Sequence, residues 1–156
     1  MSCLLAGLAL SGCAARRPAG NLSAGDAAVW VGRLAVRVDA DPVQAFSAGF
    51  ELRGNAEVGI LLLFSPFGAT LARLSWSPGE ARLLSEGTEQ TFTSIEALTL
   101  RVTGASLPLD GLFQWLAGNP APVAGWEAEL NGLANGRLHA RRVAPNPLVD
   151  LRLLLD

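Results

Sequence analysis

Thiols, imidazoles and paired carboxylates are the side chains that could do chemistry near neutral pH, and this chain has few of them. His139 is the only histidine. It sits between Leu138 and Ala140 in an alternating segment, so a Ser-His-Asp triad would have to be assembled around it; an exposed strand position is the plainer account. Glu127 and Glu129 share one side of a strand, and Glu86 and Glu89 flank a turn. Either pair could in principle divide the acid and base roles of a hydrolase, but solvated acidic faces account for both. There is no histidine cluster for a transition metal, and no Gly-rich loop ending in Gly-Lys-Ser/Thr to cradle a phosphate. The expectation is a protein that is not an enzyme and uses no metal or cofactor.

The two thiols are Cys3 and Cys13. Cys3 opens an apolar run to Leu10 that is far shorter than the ~20 residues of a membrane-spanning helix. Its length suits the apolar region of a secretory signal, about 7 to 15 residues. The run enters Leu10-Ser11-Gly12-Cys13, which resembles the lipobox of bacterial lipoproteins. That resemblance implies a signal peptide over residues 1–12, a diacylglyceryl thioether on Cys13, and Cys13 as the mature first residue. Met1-Ser2 departs from the pattern by carrying no Lys or Arg. The alternative is a small amino-terminal helix in which the two cysteines are buried or paired. After cleavage no disulfide is possible, so the core alone must hold the fold. Ala14 after the cysteine implies sorting to the outer membrane. Residues 13–28 read as a lipidated terminus and tether, where Arg16 and Arg17 could each add about 1 kcal/mol of attraction to an anionic lipid surface; a solvated linker explains them equally well.

What must position any functional group is a single domain, because 156 residues fall within the roughly 100 to 200 of one domain. The chain is 50% hydrophobic with a formal charge of −2, whereas disorder needs low hydrophobicity and high net charge. All 12 basic residues are Arg and 14 acidic residues outnumber them, which argues against a nucleic-acid partner.

From Val29 onward apolar and polar residues alternate, the period of strands with one dry face. Segments Val29 to Val38, Phe46 to Leu52, Val58 to Phe64, Ala69 to Trp76, Ala81 to Ser85 and Glu89 to Phe92 read as strands; Gly-bearing turns separate those from Phe46 onward. Ile60 to Phe64 is apolar on both faces and is expected to be covered on both. The period then lengthens. Ser94 caps a helix whose stripe is Ile95, Leu98 and Val102 and which ends at Gly104, and a second helix runs from about Leu109 to Leu116. Trp126 to Leu130, Arg137 to Val143 and Leu148 to Leu155 return to alternation, with Asn135-Gly136 as a tight hairpin signal. The predicted architecture is mainly β: an incomplete antiparallel β-barrel over residues 29–156, with a short two-helix lid.

The lipobox followed by Trp30-Val31-Gly32-Arg33-Leu34, Ser65-Pro66-Phe67-Gly68-Ala69, Leu100-Arg101-Val102-Thr103-Gly104 and Phe113-Gln114-Trp115-Leu116-Ala117-Gly118 resembles the outer-membrane lipoprotein receptor family LolB. The resemblance runs from Trp30 to Asp156 in matching order. It implies a half-open barrel with an apolar cavity under the helical lid, anchored in the inner leaflet of the outer membrane. It implies a monomer that takes triacylated lipoproteins from the periplasmic carrier LolA and places them in the membrane. Residues Ala14 to Val29 make a shorter lead-in than the family's, which implies reduced cover of the lid. Phe50, Leu62, Phe64, Trp115 and Trp126 are the expected cavity residues; without the resemblance all five read as ordinary core. Pro66, Phe67 and Gly68 are the expected membrane-insertion loop. The family places a leucine where Phe67 stands, and the alternative is that Phe67 folds back onto the barrel rim. An acyl chain of some sixteen carbons would expose on the order of 12 kcal/mol in water at about 0.8 kcal/mol per methylene, so an apolar cavity removes a real barrier to transfer. An anchored lipocalin-like module for a small hydrophobe, or a packed envelope protein with no cavity, are the alternatives.

Overall fold

The computed structural model describes residues 28–156. The expected signal segment, Cys13 and the tether as far as residue 27 lie outside the described residues. Nine strands and two helices follow the expected order: β1 (Val29–Val38), β2 (Gln44–Gly54), β3 (Gly59–Phe64), β4 (Thr70–Ser77), β5 (Glu80–Ser85), β6 (Thr88–Phe92), α1 (Ile95–Thr103), α2 (Leu109–Leu116), β7 (Trp126–Glu129), β8 (Arg137–Arg142) and β9 (Val149–Leu155). All nine strands join one antiparallel sheet in the order β6-β5-β4-β3-β2-β1-β9-β8-β7. The edges β6 and β7 do not pair, so the barrel is incomplete. No helix among the described residues is long and apolar enough to cross a membrane.

Alternation decides which way each strand faces. On β1, Leu34, Val36 and Val38 are buried while Arg33, Ala35 and Arg37 are exposed. The register carries that face across the sheet: Leu34 lies opposite Ala48 and Leu153, and Val36 opposite Phe46 and Leu151. The core therefore lies on the inner face, beneath the helices. The outer face is held by neighbours rather than by a second layer. Ile60 and Leu62 stand between Arg53 and Ser75, and between Glu51 and Arg73, and with Phe64 they are half-buried. The expectation that β3 is covered on both faces is thus corrected: its outer side chains shelter among cross-strand aliphatic stems.

The helices close over the inner face. The Ser94 hydroxyl accepts the Ala97 N–H at 3.2 Å, and Gly104, at φ 79°, ends α1 with its N–H on the Leu100 carbonyl. Inside, Thr99 Oγ1 donates to the Glu96 carbonyl at 3.0 Å and accepts the Leu107 N–H at 3.1 Å. That buried hydroxyl ties α1 to the segment leading into α2. In α2 the residues Leu109, Leu112, Phe113, Trp115 and Leu116 face inward, with Asp110 and Gln114 outward. α1 packs on β5 and β6, and Phe113 of α2 reaches Trp30 of β1 and Trp76 of β4, with ring centroids 5.5 and 6.3 Å away. One turn departs from expectation. Asn135-Gly136 does not make a two-residue hairpin; a 3-10 turn over Leu133–Asn135 leads into left-handed Gly136, because the β7–β8 connection is too long for the tight form.

Candidate functional site

The β3–β4 loop is a three-residue projection built by local hydrogen bonds. Ser65 N–H donates to the Ala69 carbonyl at 2.8 Å, and Gly68 N–H donates to the Ser65 carbonyl at 2.9 Å. Ala69 N–H donates to Ser65 Oγ at 3.2 Å. Gly68 takes φ 82°, a conformation that costs a side-chain-bearing residue free energy. Pro66 and Gly68 leave the middle side chain nowhere to turn back. Phe67 is 99% exposed, so it does not staple the rim.

Beneath that loop the inner face opens into a cavity of about 520 Å³, lined by Phe46, Leu63, Ala72, Leu83 and Val102, with Ser85, Glu86, Thr88, Gln90 and Arg101 at its edge. Leu63 and Ala72 belong to the strands that carry the Phe67 loop, so chamber and loop are continuous. The other end of the inner space is plugged by Trp30, Phe113 and Trp76, whose indole N–H is held by the Asn55 carbonyl at 3.0 Å. Gly59 makes that plug possible: a Cβ there would come within 2.3 Å of the Trp76 ring. The chamber thus opens toward Phe67 and away from the aromatic plug.

The five expected cavity residues do not come together. Phe50 and Trp115 are on the inner face but are 2% and 1% exposed, and the Trp115 indole donates to the Ala121 carbonyl at 2.9 Å; both are packed core. Trp126 is half-buried on the inner face, 6.3 Å from Trp115, and borders a separate cleft with Leu107, Pro108 and Arg142. Leu62 and Phe64 point the other way. Their cross-strand partners are Glu51 and Gly49, residues of the outer face, because side chains reverse direction at every strand residue. Placing them in the cavity is corrected: Leu63, the residue between them, lines it. Phe46, Leu63, Ala72 and Leu83 follow from carrying the inward face of β1 across the strand pairings, and Val102 from the stripe of α1.

A larger hollow, about 620 Å³, lies on the outer face among Arg33, Ala35, Glu129, Arg137, His139 and Arg152. Leu34, Leu138, Leu153 and Leu154 complete a lining that is mostly apolar; what sets this hollow apart is its place on the outer face, on the other side of the sheet from the helices. His139 sits on its floor with Nε2 2.7 Å from Asp150 Oδ2 and Nδ1 3.7 Å from Glu129 Oε2. Both ring nitrogens face carboxylates, which leaves neither aimed at a hydroxyl or thiol. Burial pushes the Asp150 carboxyl up, but the hydrogen bond and charge of His139, with Arg152, together hold it below its usual value. This is an ion-pair cluster on the wall of the sheet.

A family model described as outer membrane lipoprotein LolB matches residues 29–144. The chain belongs to the LolB family. Curated relatives named outer-membrane lipoprotein LolB include those of Chromobacterium violaceum, 37% identical over 120 residues that are 74% of this chain and 65% of the relative, and Halorhodospira halophila, 36% identical over 130 residues, 76% of this chain and 63% of the relative. The match thus spans less than two thirds of either relative. The LolB of Bordetella petrii is 30% identical over 180 residues, 98% of this chain and 90% of its own length. The matched LolB region takes in every strand from β1 to β8 and both helices, and so contains the chamber and the Phe67 loop.

Proposed function

We propose that this chain is an outer-membrane lipoprotein, anchored through Cys13 in the inner leaflet, that accepts triacylated lipoproteins from the periplasmic carrier LolA and delivers them to that leaflet. The observation that carries the proposal is the fully exposed Phe67, on a loop whose two strands also line a hollow of mixed apolar and polar residues on the inner face. A bulky apolar group in water is unfavourable, and full burial of such a side chain returns about 1.5 to 3 kcal/mol, so the loop favours a bilayer interface. The apolar side of that hollow, Phe46, Leu63, Ala72, Leu83 and Val102, gives an acyl chain a wall at the same end of the sheet. Transfer without an input of energy runs downhill, which requires tighter binding than the carrier's and weaker binding than the bilayer's.

The test is transfer of a fluorescent acylated lipoprotein from carrier to liposomes by protein bearing Cys13→Ala. The soluble protein should still accept the client, because the chamber and not the anchor does the binding. With Phe67→Glu added, acceptance should persist while insertion falls, leaving client bound to the receptor. Loss of acceptance in Cys13→Ala protein with unchanged circular dichroism would refute the chamber mechanism, and normal insertion by folded Phe67→Glu protein would refute the role of the loop. Solvent extraction of the purified protein separates this reading from a carrier of small hydrophobes by showing which of the two is bound.

A further inference from the structure

Phe67 is not alone at its end of the sheet. Alternate turns of antiparallel neighbours fall at the same end, so the β1–β2, β3–β4, β5–β6 and β8–β9 connections share it. Three of these carry exposed apolar side chains: Val43 at 50%, Phe67 at 99%, and Val143 and Leu148 at 46% and 44%. The β1–β2 and β8–β9 turns are tied together, because Asp39 N–H donates to the Leu148 carbonyl at 2.9 Å.

Each of the three turns also carries proline next to its apolar residue: Pro42 beside Val43, Pro66 beside Phe67, and Pro145 and Pro147 between Val143 and Leu148. Proline has no N–H, so such a turn brings fewer donors that need a partner on leaving water. The Pro147 carbonyl is already satisfied by Arg142, through Nε at 3.2 Å and Nη2 at 2.9 Å. The opposite end differs. Its β2–β3 and β4–β5 turns are Asn55-Ala56-Glu57 and Ser77-Pro78-Gly79; Val58 is exposed beside a turn, whereas the other exposed apolar side chains at this end, Val29, Val31 and Leu154, lie within strands rather than on turn tips. The charges at the Phe67 end are balanced: Asp39, already paired with Arg37 at 3.2 Å, Asp41 and Glu86 stand with Arg101 and with Arg142, which holds the Pro147 carbonyl.

We infer that this end is a three-turn foot that rests on a zwitterionic phospholipid surface, with Val43, Val143 and Leu148 entering the interface beside Phe67. The inference rests on the proposed delivery through Phe67 and adds what fixes the molecule's orientation. One inserted side chain leaves the protein free to pivot, whereas contacts on three turns around the rim define a plane and hold the chamber mouth against the lipid. With acidic and basic side chains offsetting one another, the surface has no net positive charge to draw anionic lipid, and the prolines and apolar tips suit a neutral one.

The experiment uses the full chain with Cys3→Ser and Cys13→Ala, carrying one new cysteine at a time, Val43→Cys, Phe67→Cys, Leu148→Cys or Val58→Cys, each labelled with an environment-sensitive fluorophore. With vesicles of phosphatidylethanolamine and phosphatidylcholine, the probes at 43, 67 and 148 should shift to the blue and the probe at 58 should not. Val43→Asp combined with Leu148→Asp should weaken vesicle binding about tenfold with unchanged circular dichroism. Adding phosphatidylglycerol should not strengthen binding. A shift at 67 alone overturns the foot and leaves delivery through Phe67 standing; a shift at none of the positions overturns both. Equal shifts at 58 and 43 mean unoriented adsorption and overturn the foot, as does tighter binding to phosphatidylglycerol.

Discussion

Trp115 shows how a large aromatic side chain with the look of a binding residue can belong to the packed core instead. It is 1% exposed, and its indole N–H is held by the Ala121 carbonyl. Trp115→Ala should therefore cost about 3 to 5 kcal/mol, read as a fall in the midpoint of urea unfolding, with any loss of client uptake following from lost structure. The residues that can change uptake without that penalty are Phe46 and Val102, half-buried at the chamber mouth. Sequence reading picked out Phe67 because Pro66 and Gly68 dictate a projecting middle residue through local geometry. It missed Leu63 and Leu83 because nothing about a leucine distinguishes lining from packing; only its face does. In β3, where Ile60 to Phe64 is apolar throughout, alternation gives no signal of face.

At the scale of elements, the threonine bridge between the helices is the joint on which the lid depends. Thr99→Val keeps the shape of the side chain but leaves the buried Leu107 N–H without its acceptor. An unsatisfied buried donor costs about 1 to 3 kcal/mol; the expected result is that loss in denaturant unfolding, with faster amide exchange at Leu107. Element order was legible almost completely: six strands, two helices and three strands appear where alternation, the Ser94 cap and Gly104 place them. The approximate limits of α2 agree, since Pro108 and the Gly118-Asn119-Pro120 stop bracket it. The β7–β8 connection was misread because Asn135-Gly136 satisfies the left-handed requirement of more than one turn. Topology beyond neighbouring strands was less accessible, since the pairing of β1 with β9 joins residues more than a hundred positions apart and no local pattern encodes it.

For the whole molecule, two predictions follow from where things lie. Asp150 is held below its usual pKa when folded, so its interactions contribute stability that is present above the unfolded carboxylate value, about 4, and is lost as pH falls through the lower folded value. Asp150→Asn should flatten that acid limb of a stability-against-pH curve while leaving its neutral portion sloping as before. The second concerns reach. β1 starts at the end opposite Phe67, and its ten residues span about 33 Å. The residues from Ala14 to Ala28, if fully extended, cover roughly 50 Å, enough for an anchor on Cys13 and the Phe67 loop to meet one bilayer. Deleting Asn21 to Ala28 leaves a span of about 25 Å, and anchored protein so shortened should fail to insert client while the unanchored form retains activity. The unpaired edges of β6 and β7 carry a different consequence. A closed barrel has a girth dictated by strand number and stagger, whereas here no ladder of hydrogen bonds completes the ring and side-chain contacts under the helices set its width. The separation of β6 and β7 is therefore fixed by packing alone, and a change in it need break no backbone hydrogen bond of the sheet.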